Sequence, residues 1–459
     1  MNNRAKTMIT DFTQGNIPKQ LIIFATPLFL SSLLQAVYNM VDMIIVGHVL
    51  GDVGLSAVSV GGDVSNFLTF IALGFSNAGQ VIISRYIGEG KKKEVGKFIA
   101  TMSSALMLTA VILSTICLLL REPILNVMNT PEEAYLEALG YSTVCMFGMV
   151  FIYGYNTISA VLRGMGDSKH PFLFIGIAAL LNVVLDVLFV VVIPMGAAGA
   201  ALATVISQSV SFILCVLFLY AKRSSLGFDI KTSYFLRIER NMLSDLVKLG
   251  VPMAIKSAAI HFSKLFVNSH INSYGVAVSA FSGIANKINS ISNLMSNALN
   301  TAGSSMVAQN VGARNYRRVP RIAISVAAVT LTIAVALSAL FLSSPRLIFG
   351  IFTTDTDVLA VAMEYIPIAI LIFFGSACRA PANAIINGSG NYAVNFATAI
   401  FDGIILRIGL SLLFGEYMSM GYLGFWLGDA LAGFTPMVIG IVFYASGKWK
   451  GKSLSEGNQ

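Results

Sequence analysis

Charge is what this sequence lacks. Charged residues make up 11% of the 459-residue chain and hydrophobic residues 56%, with a mean hydropathy of +0.77. A water-soluble domain needs far more surface charge, so that class is excluded. No polar stretch is long enough to build a second, soluble domain. Cysteine is scarce too. Cys117, Cys145, Cys215 and Cys378 fall in apolar stretches without paired spacing, so they read as small packing residues rather than a disulfide framework. There is no Gly-x4-Gly-Lys loop, which excludes ATP hydrolysis by that route. His261 has no companion at metal-ligand spacing, and no nucleophile–base set of an enzyme is found.

What the chain has instead is long apolar runs. About twenty apolar residues cross a bilayer, and twelve spans are predicted. In the first half they are 17–46, 55–86, 96–120, 132–163, 169–193 and 197–221. The second half gives 243–273, 278–312, 319–343, 356–387, 392–415 and 421–446. Several exceed the bilayer thickness, so those helices should tilt, bend or project beyond it. The two halves also repeat. Gly51, Gly88, Gly164 and Gly166 each have a glycine 224 residues later, at Gly275, Gly312, Gly388 and Gly390. Pro27 finds Pro252 at 225, and Met195-Gly196-x2-Gly199 finds Met420-Gly421-x2-Gly424 at the same offset. So small a drift means one unit duplicated end to end.

The fold class expected is therefore an all-α integral membrane protein. Its twelve transmembrane helices would form two pseudo-symmetric six-helix lobes, residues 1–231 and 232–459. Such duplicated helical proteins are most often secondary transporters with a site between the halves.

Basic residues set the orientation. Arg4, Lys6 and Lys19 precede the first span, and the even-numbered connections carry Lys91, Lys92, Lys93 and Lys97, Arg163 and Lys169, Lys222 to Lys248, and Arg314 to Arg321. Lys448, Lys450 and Lys452 follow the last span, whereas the odd-numbered connections hold only Arg121 and Arg346 among acids. That asymmetry places both termini in the cytoplasm of a multi-pass cell-membrane protein. The net charge of +8 and pI near 9.2 are thus a topology signal, and no nucleic-acid partner is expected. With six spans each, the lobes insert in the same sense, related by a pseudo-two-fold axis along the membrane normal. Rocking of one lobe against the other would alternate access.

Several runs resemble a known family. Pro27-Leu-Phe-Leu-Ser-Ser-Leu-Leu-Gln35-Ala-Val-Tyr-Asn39-Met-Val41-Asp42-x4-Gly47 is similar to the first helix of the multidrug and toxic compound extrusion (MATE) transporters. So are Leu162-Arg163-Gly164-x-Gly166-Asp167-x-Lys169, its partner Asn387-Gly388-Ser389-Gly390-Asn391, and Ala308-Gln309-Asn310-x-Gly312-Ala313. The resemblance covers nearly the whole chain, in order. It implies a monomeric antiporter that exports small organic compounds, often cationic, while Na⁺ or H⁺ runs inward, with membrane lipids around it and no cofactor beyond the coupling ion.

The intramembrane polar groups carry the chemistry. Asp42 lies deep in the first span; Asn182 and Asp186, one turn apart in the fifth, share a helix face; Thr204 is in the sixth. A carboxylate in hydrocarbon is seldom kept without a partner, proton or ion. Two carboxylates, an amide and a hydroxyl supply hard oxygen ligands for Na⁺, and the like-charge pair can carry a proton instead. They read equally as structural groups bonding neighbouring helices. The resemblance favours the first reading, because the DinF-like branch places its cation-coupling cluster at positions matching Asp42, Asn182, Asp186 and Thr204, with Tyr141 in the fourth span a further member. Pro27 removes a helix hydrogen bond and bends the first span, either as an ordinary bend or as a gating hinge; the resemblance to the DinF-like branch implies the hinge. Gln35 and Asn39, on the same span, are candidates for the substrate cavity.

The second half departs from the NorM-like pattern of acids in the seventh and tenth spans. It offers Lys256, His261 and Lys264 in the seventh and Arg379 in the tenth. These are either snorkelled or paired structural charges, or cavity-lining groups favouring anionic or zwitterionic cargo. At the 225-residue offset Thr204 aligns with Asp429, and Asn182 with Leu406 or Arg407, depending on where a one-residue slip falls. Arg407 and Asp429 are expected to form an internal salt bridge where the first half holds its cation cluster, with Asp402 as a second partner.

The function expected is a secondary active exporter coupled to inward H⁺ or Na⁺. A lipid-precursor or specific-metabolite transporter of the same superfamily is the alternative, ahead of a channel.

Overall fold

The computed structural model describes residues 9–229, 231–235 and 237–450. Arg4, Lys6 and Lys452, used above for orientation, lie outside the described residues. The described chain is built from helices. It divides into two compact units, one of residues 1–11 and 30–250, the other of 12–29 and 251–459. The lobe limits expected from the spans are 1–231 and 232–459; the compact units, which follow packing, place 232–250 with the first unit and 12–29 with the second.

Nine of the described helices are long and apolar enough to cross a membrane. Ile17–Gly88 covers the predicted first two spans, with a break at Gly51 (φ 61°, ψ −151°) that a residue bearing a Cβ rarely adopts. Lys92–Leu119, Glu132–Gly164, Lys169–Val192 and Ala197–Ala221 follow. Beyond them come Val319–Ser343, Thr356–Gly388, Tyr392–Tyr417 and Gly421–Ala445. Helices Arg240–Asn272 and Val276–Gly312 coincide with the predicted seventh and eighth spans but are too polar to stand among the nine. Val276–Gly312 buries Asn289, Ser292, Ser296, Ser304, Gln309 and Asn310. Part of its polarity therefore faces protein, while Asn286, Lys287, Ser290 and Asn297 are exposed.

The distribution of side chains is inverted relative to a soluble helix. On Lys169–Asp186 the interior face holds Asn182 (1% exposed) and Asp186 (0%), while Leu180 (74%) and Val184 (64%) point outward. Apolar outside and polar inside suits hydrocarbon surroundings and no aqueous one.

The duplication is visible in backbone geometry within each unit. Left-handed residues recur at Gly51 and Gly275, Gly90 and Arg314, Gly166 and Gly390, and Gly196 and Gly421. A wide π-helical turn at Val187–Val192 is matched by Leu413–Tyr417. Ile193 N donates to Leu188 O at 2.9 Å, and Met418 N to Leu413 O at 2.8 Å. Close packing repeats as well. A Cβ on Gly164 would meet Ile83 Cβ at 2.9 Å and Gln80 O at 3.0 Å; one on Gly388 would meet Val307 Cβ and Ser304 O, both at 2.7 Å.

A second π-helical turn, Phe401–Ile405, has no counterpart in the first unit, where the aligned stretch lies inside the α-helix Lys169–Asp186. A π-helical turn is the usual trace of one inserted residue. It falls between the glycine pairs spaced 224 apart and those spaced 225 apart, so it absorbs the slip. Downstream of it the offset is 225, and Asn182 aligns with Arg407, Asp186 with Ser411 and Thr204 with Asp429. The Gly403 carbonyl within this turn accepts a hydrogen bond from the Ser263 hydroxyl, and the Asp402 carbonyl accepts one from Arg407 Nε at 3.3 Å.

Small residues let the last helices pack. A Cβ on Gly428 would collide with backbone atoms of Ser411 and Leu410, whereas one on Gly283 would meet nothing within 4 Å. Gly428→Ala should therefore destabilise the protein by about 1–3 kcal/mol, as overpacking does. Thermal unfolding of the purified chain in detergent should show a lowered midpoint for Gly428→Ala and none for Gly283→Ala; equal midpoints would contradict the close approach.

Candidate ion and substrate sites

In the first unit, three helices bring the sequence-predicted polar residues together. Ile17–Gly88 supplies Asp42 (8% exposed), Lys169–Asp186 supplies Asn182 and Asp186, and Ala197–Ala221 supplies the half-buried Thr204. Asn182 Nδ2 donates to Thr204 Oγ1 at 3.4 Å. The charge of Asp42 acts on Asp186, and both carboxylates act on Tyr141. Tyr141, on Glu132–Gly164, packs its ring over the bare Cα of Gly61, where a Cβ would meet its Cδ1 at 2.5 Å.

The hydrogen-bond inventory of this cluster is incomplete. Asp42 Oδ1, Asn182 Oδ1 and both carboxylate oxygens of Asp186 are buried without a hydrogen-bond partner among the described residues. Buried oxygens are nearly always satisfied, and carboxylate and amide oxygens of this kind are the ligand type that suits a small hard cation or a proton. No grouping of three or more His, Cys, Asp or Glu with metal-holding geometry occurs among the described residues.

Two further members escaped the sequence reading. Gln208 Nε2 donates to the Tyr38 hydroxyl at 3.4 Å, and Tyr38 lies near both Asp42 and Asp186. The signal was available: Tyr38 precedes Asp42 by one turn, and Gln208 follows Thr204 by one turn. Gln35 is half-buried and Asn39 exposed on the same helix as Asp42, and Pro27 is half-buried nearer its start.

The second unit gathers charge instead. Arg407 (2% exposed) holds Asp402 Oδ1 through Nη2 at 3.0 Å and Asp429 Oδ1 through Nη1. Arg379 Nη2 reaches the same Asp402 oxygen at 3.4 Å. Lys256 Nζ donates to Asn383 Oδ1 at 2.7 Å, a partner the sequence reading missed although Asn383 sits one turn beyond Arg379. Lys264 feels the charges of Asp429, Arg407, Arg379 and Asp402. His261 is exposed on the same helix. The positions matching Asp42 are Phe266 or Val267, and that matching Asp186 is Ser411, whose hydroxyl donates to Phe425 O at 3.0 Å. No carboxylate thus stands at any of those equivalents, and the aspartate at the Thr204 equivalent is held by arginine.

Comparison with known proteins matches this architecture. The family model MatE matches residues 27–188 and again 252–413, one copy in each half. A probable multidrug resistance protein of Bacillus subtilis (strain 168), YpnP, is 29% identical, covering 97% of this chain and 98% of its own. The fold is similar to that of a MOP superfamily transporter from Pyrococcus furiosus Vc1 (DSM3638), described as having a binding pocket of reverse polarity that suggests a different function. The TM-score is 0.89 at 21% identity, covering 98% of this chain and 100% of that one. A MATE structure in the bent conformation matches with a TM-score of 0.86 at 23% identity, covering 97% and 98%. With one matched segment in each of two geometrically repeated halves, the chain belongs to the MatE family of multidrug and toxic compound extrusion transporters.

Proposed function

We propose that this protein is a secondary active exporter of small organic compounds, driven by Na⁺ or H⁺ through Asp42, Asn182, Asp186, Thr204 and Tyr141. The observation that carries the reading is the set of buried, unpartnered oxygens on Asp42, Asn182 and Asp186. An oxygen cluster with no internal donor gains free energy when a cation or proton arrives, and lets it go in the conformation whose affinity is lower. Differential occupancy between two conformations is then what couples ion flow to cargo. The proposal includes twelve spans in two lobes, both termini in the cytoplasm, and alternating access.

Pro27 is the proposed hinge. Its ring removes one helix hydrogen bond near the start of the first span, and a solved relative in the bent conformation shares the fold. The second lobe, on this reading, binds no coupling ion, because Arg407 supplies a permanent cation beside Asp402 and Asp429. The absence of the NorM-type acids favours the DinF-like branch.

Replacing Asp42 or Asp186 by Asn should leave a folded, inserted protein that has lost gradient-driven efflux. Proteoliposomes with separately imposed Na⁺ and pH gradients read this out; full transport by the double Asn variant would remove the first-lobe site. Pro27→Ala should slow turnover more than it weakens equilibrium cargo binding, and a parallel fall in both would reduce the residue to a structural role. Arg407→Met strands Asp429 and should cost about 3–5 kcal/mol of stability. Adding Asp429→Leu should recover much of that loss in the apparent unfolding midpoint. A wild-type midpoint for Arg407→Met alone would mean the pair does not persist in solution.

A further inference from the structure

We infer that the second unit carries a binding site for an anionic group, formed by Lys256, Lys264 and Arg379. Four cations, Lys256, Lys264, Arg379 and Arg407, sit in one interacting cluster with only two carboxylates, Asp402 and Asp429. Two positive charges are left over. The carboxylates are already committed: Arg407 engages both, and Arg379 shares Asp402. Lys256 is bonded to an uncharged amide, Asn383. Lys264 makes no hydrogen bond or ion pair among the described residues.

Depth sorts these groups into two sets. Arg407 and Asp402 are sealed, with side chains 2% and 0% exposed, and act as a fixed internal brace. Arg379, at 17%, is the more exposed of the two arginines, with Lys256 and Lys264 half-buried on the helix Arg240–Asn272. Arg379 Nε is buried with no partner. A guanidinium N–H in such surroundings needs an acceptor; Asp402 takes Arg379 Nη2 through Oδ1, while its buried Oδ2 stands without a hydrogen bond and does not take the Nε proton. Arg379 Nη2 also lies 3.5 Å from where a Cβ on residue 433 would stand, so Gly433 leaves the guanidinium room.

The ligand chemistry follows. Two half-buried ammonium groups and a guanidinium edge among apolar helices fit a carboxylate, sulfonate or phosphate attached to an apolar body. Small organic cargo and anionic lipid headgroups share that chemistry. For cargo, the inference rests on the exporter reading and names the substrate class as anionic or zwitterionic; the binding site itself does not depend on transport.

The test is equilibrium binding of two probes with the same ring and opposite charge. Naphthalene-2-sulfonate and naphthyl-trimethylammonium would be titrated calorimetrically into the purified full chain in neutral detergent. The sulfonate should bind more tightly. Lys264→Met and Lys256→Met should each weaken it by about tenfold, as loss of a charged hydrogen bond does. Lys264→Arg should retain binding, and Arg346→Gln, an exposed charge elsewhere, should leave it unchanged. Size-exclusion profiles identify any variant that fails to fold, and Lys264→Arg keeps the test decisive in that event. Repeating the titration in phosphatidylcholine and phosphatidylglycerol nanodiscs separates the sources. Sulfonate binding equal in both assigns the site to cargo; binding abolished by phosphatidylglycerol assigns it to a lipid headgroup. Equal affinity for the two probes, or wild-type sulfonate affinity in both Lys→Met variants, would overturn the site. An anion site with no gradient-driven transport would instead fault the exporter reading alone.

Discussion

Hydrocarbon surroundings dictate this fold, because every polar group that enters the membrane must be answered from within the protein. Lipid offers no hydrogen bonds, so backbone groups close on themselves in helices and polar side chains turn inward. Nor does lipid drive helices together by expelling water, so close contact must come from small residues and interhelical hydrogen bonds. Both consequences are seen. Gly164, Gly388 and Gly428 allow backbone-level approach. Buried hydroxyls reach carbonyls on neighbouring helices, as Ser84 does to Gly164 O at 2.9 Å and Ser296 to Ser376 O at 2.7 Å. Against that demand, an unanswered oxygen is conspicuous, and the Asp42–Asp186 cluster holds four.

Duplication supplied two copies of one scaffold, and the copies have met the same demand in opposite ways. In the first unit, Asn182 and Thr204 bond each other and leave the adjacent acids unanswered. At the aligned positions of the second unit, Arg407 and Asp429 form a charge pair reinforced by Asp402. A guanidinium cannot be titrated away in a protein and fits two carboxylates at once. The second arrangement is therefore self-sufficient, whereas the first leaves buried oxygens without a partner among the described residues.

Much of this was legible in the chain itself. Helix positions followed from apolar runs ended by glycine, proline and asparagine, because hydropathy is a strong signal when the solvent is lipid. The repeat was readable because its signposts are glycines held either by left-handed backbones, such as Gly51 and Gly275, or by close packing, such as Gly164 and Gly388, and both resist substitution on geometric grounds. Polar residues deep in apolar runs announced themselves for the same reason. What was hidden depended on rotation about the helix axis and on which helices touch. Tyr38, Gln208 and Asn383 are ordinary residues in sequence, and only their partners give them meaning. The polarity of Val276–Gly312 likewise makes sense only in part until Asn289, Ser292, Ser296, Ser304 and Asn310 are seen to be buried.

The π-helical turn at Phe401–Ile405 has a consequence for how the halves have diverged. An extra residue in a regular α-helix would swing everything after it through about 100°, carrying Ser411 off its face. Looping the residue out as one wide turn keeps the downstream phase, and the carbonyls of Asp402 and Gly403 take side-chain donors in return. Between Gly390 and Gly421 the second half therefore has one residue more than the first half has between Gly166 and Gly196, besides its different side chains. Exchanging Arg407 and Asp429 for the asparagine and threonine of the first half would not rebuild the first half's geometry, since Ser263 and the surplus residue would still hold the turn open. Point substitution cannot retrace a step that was made by insertion.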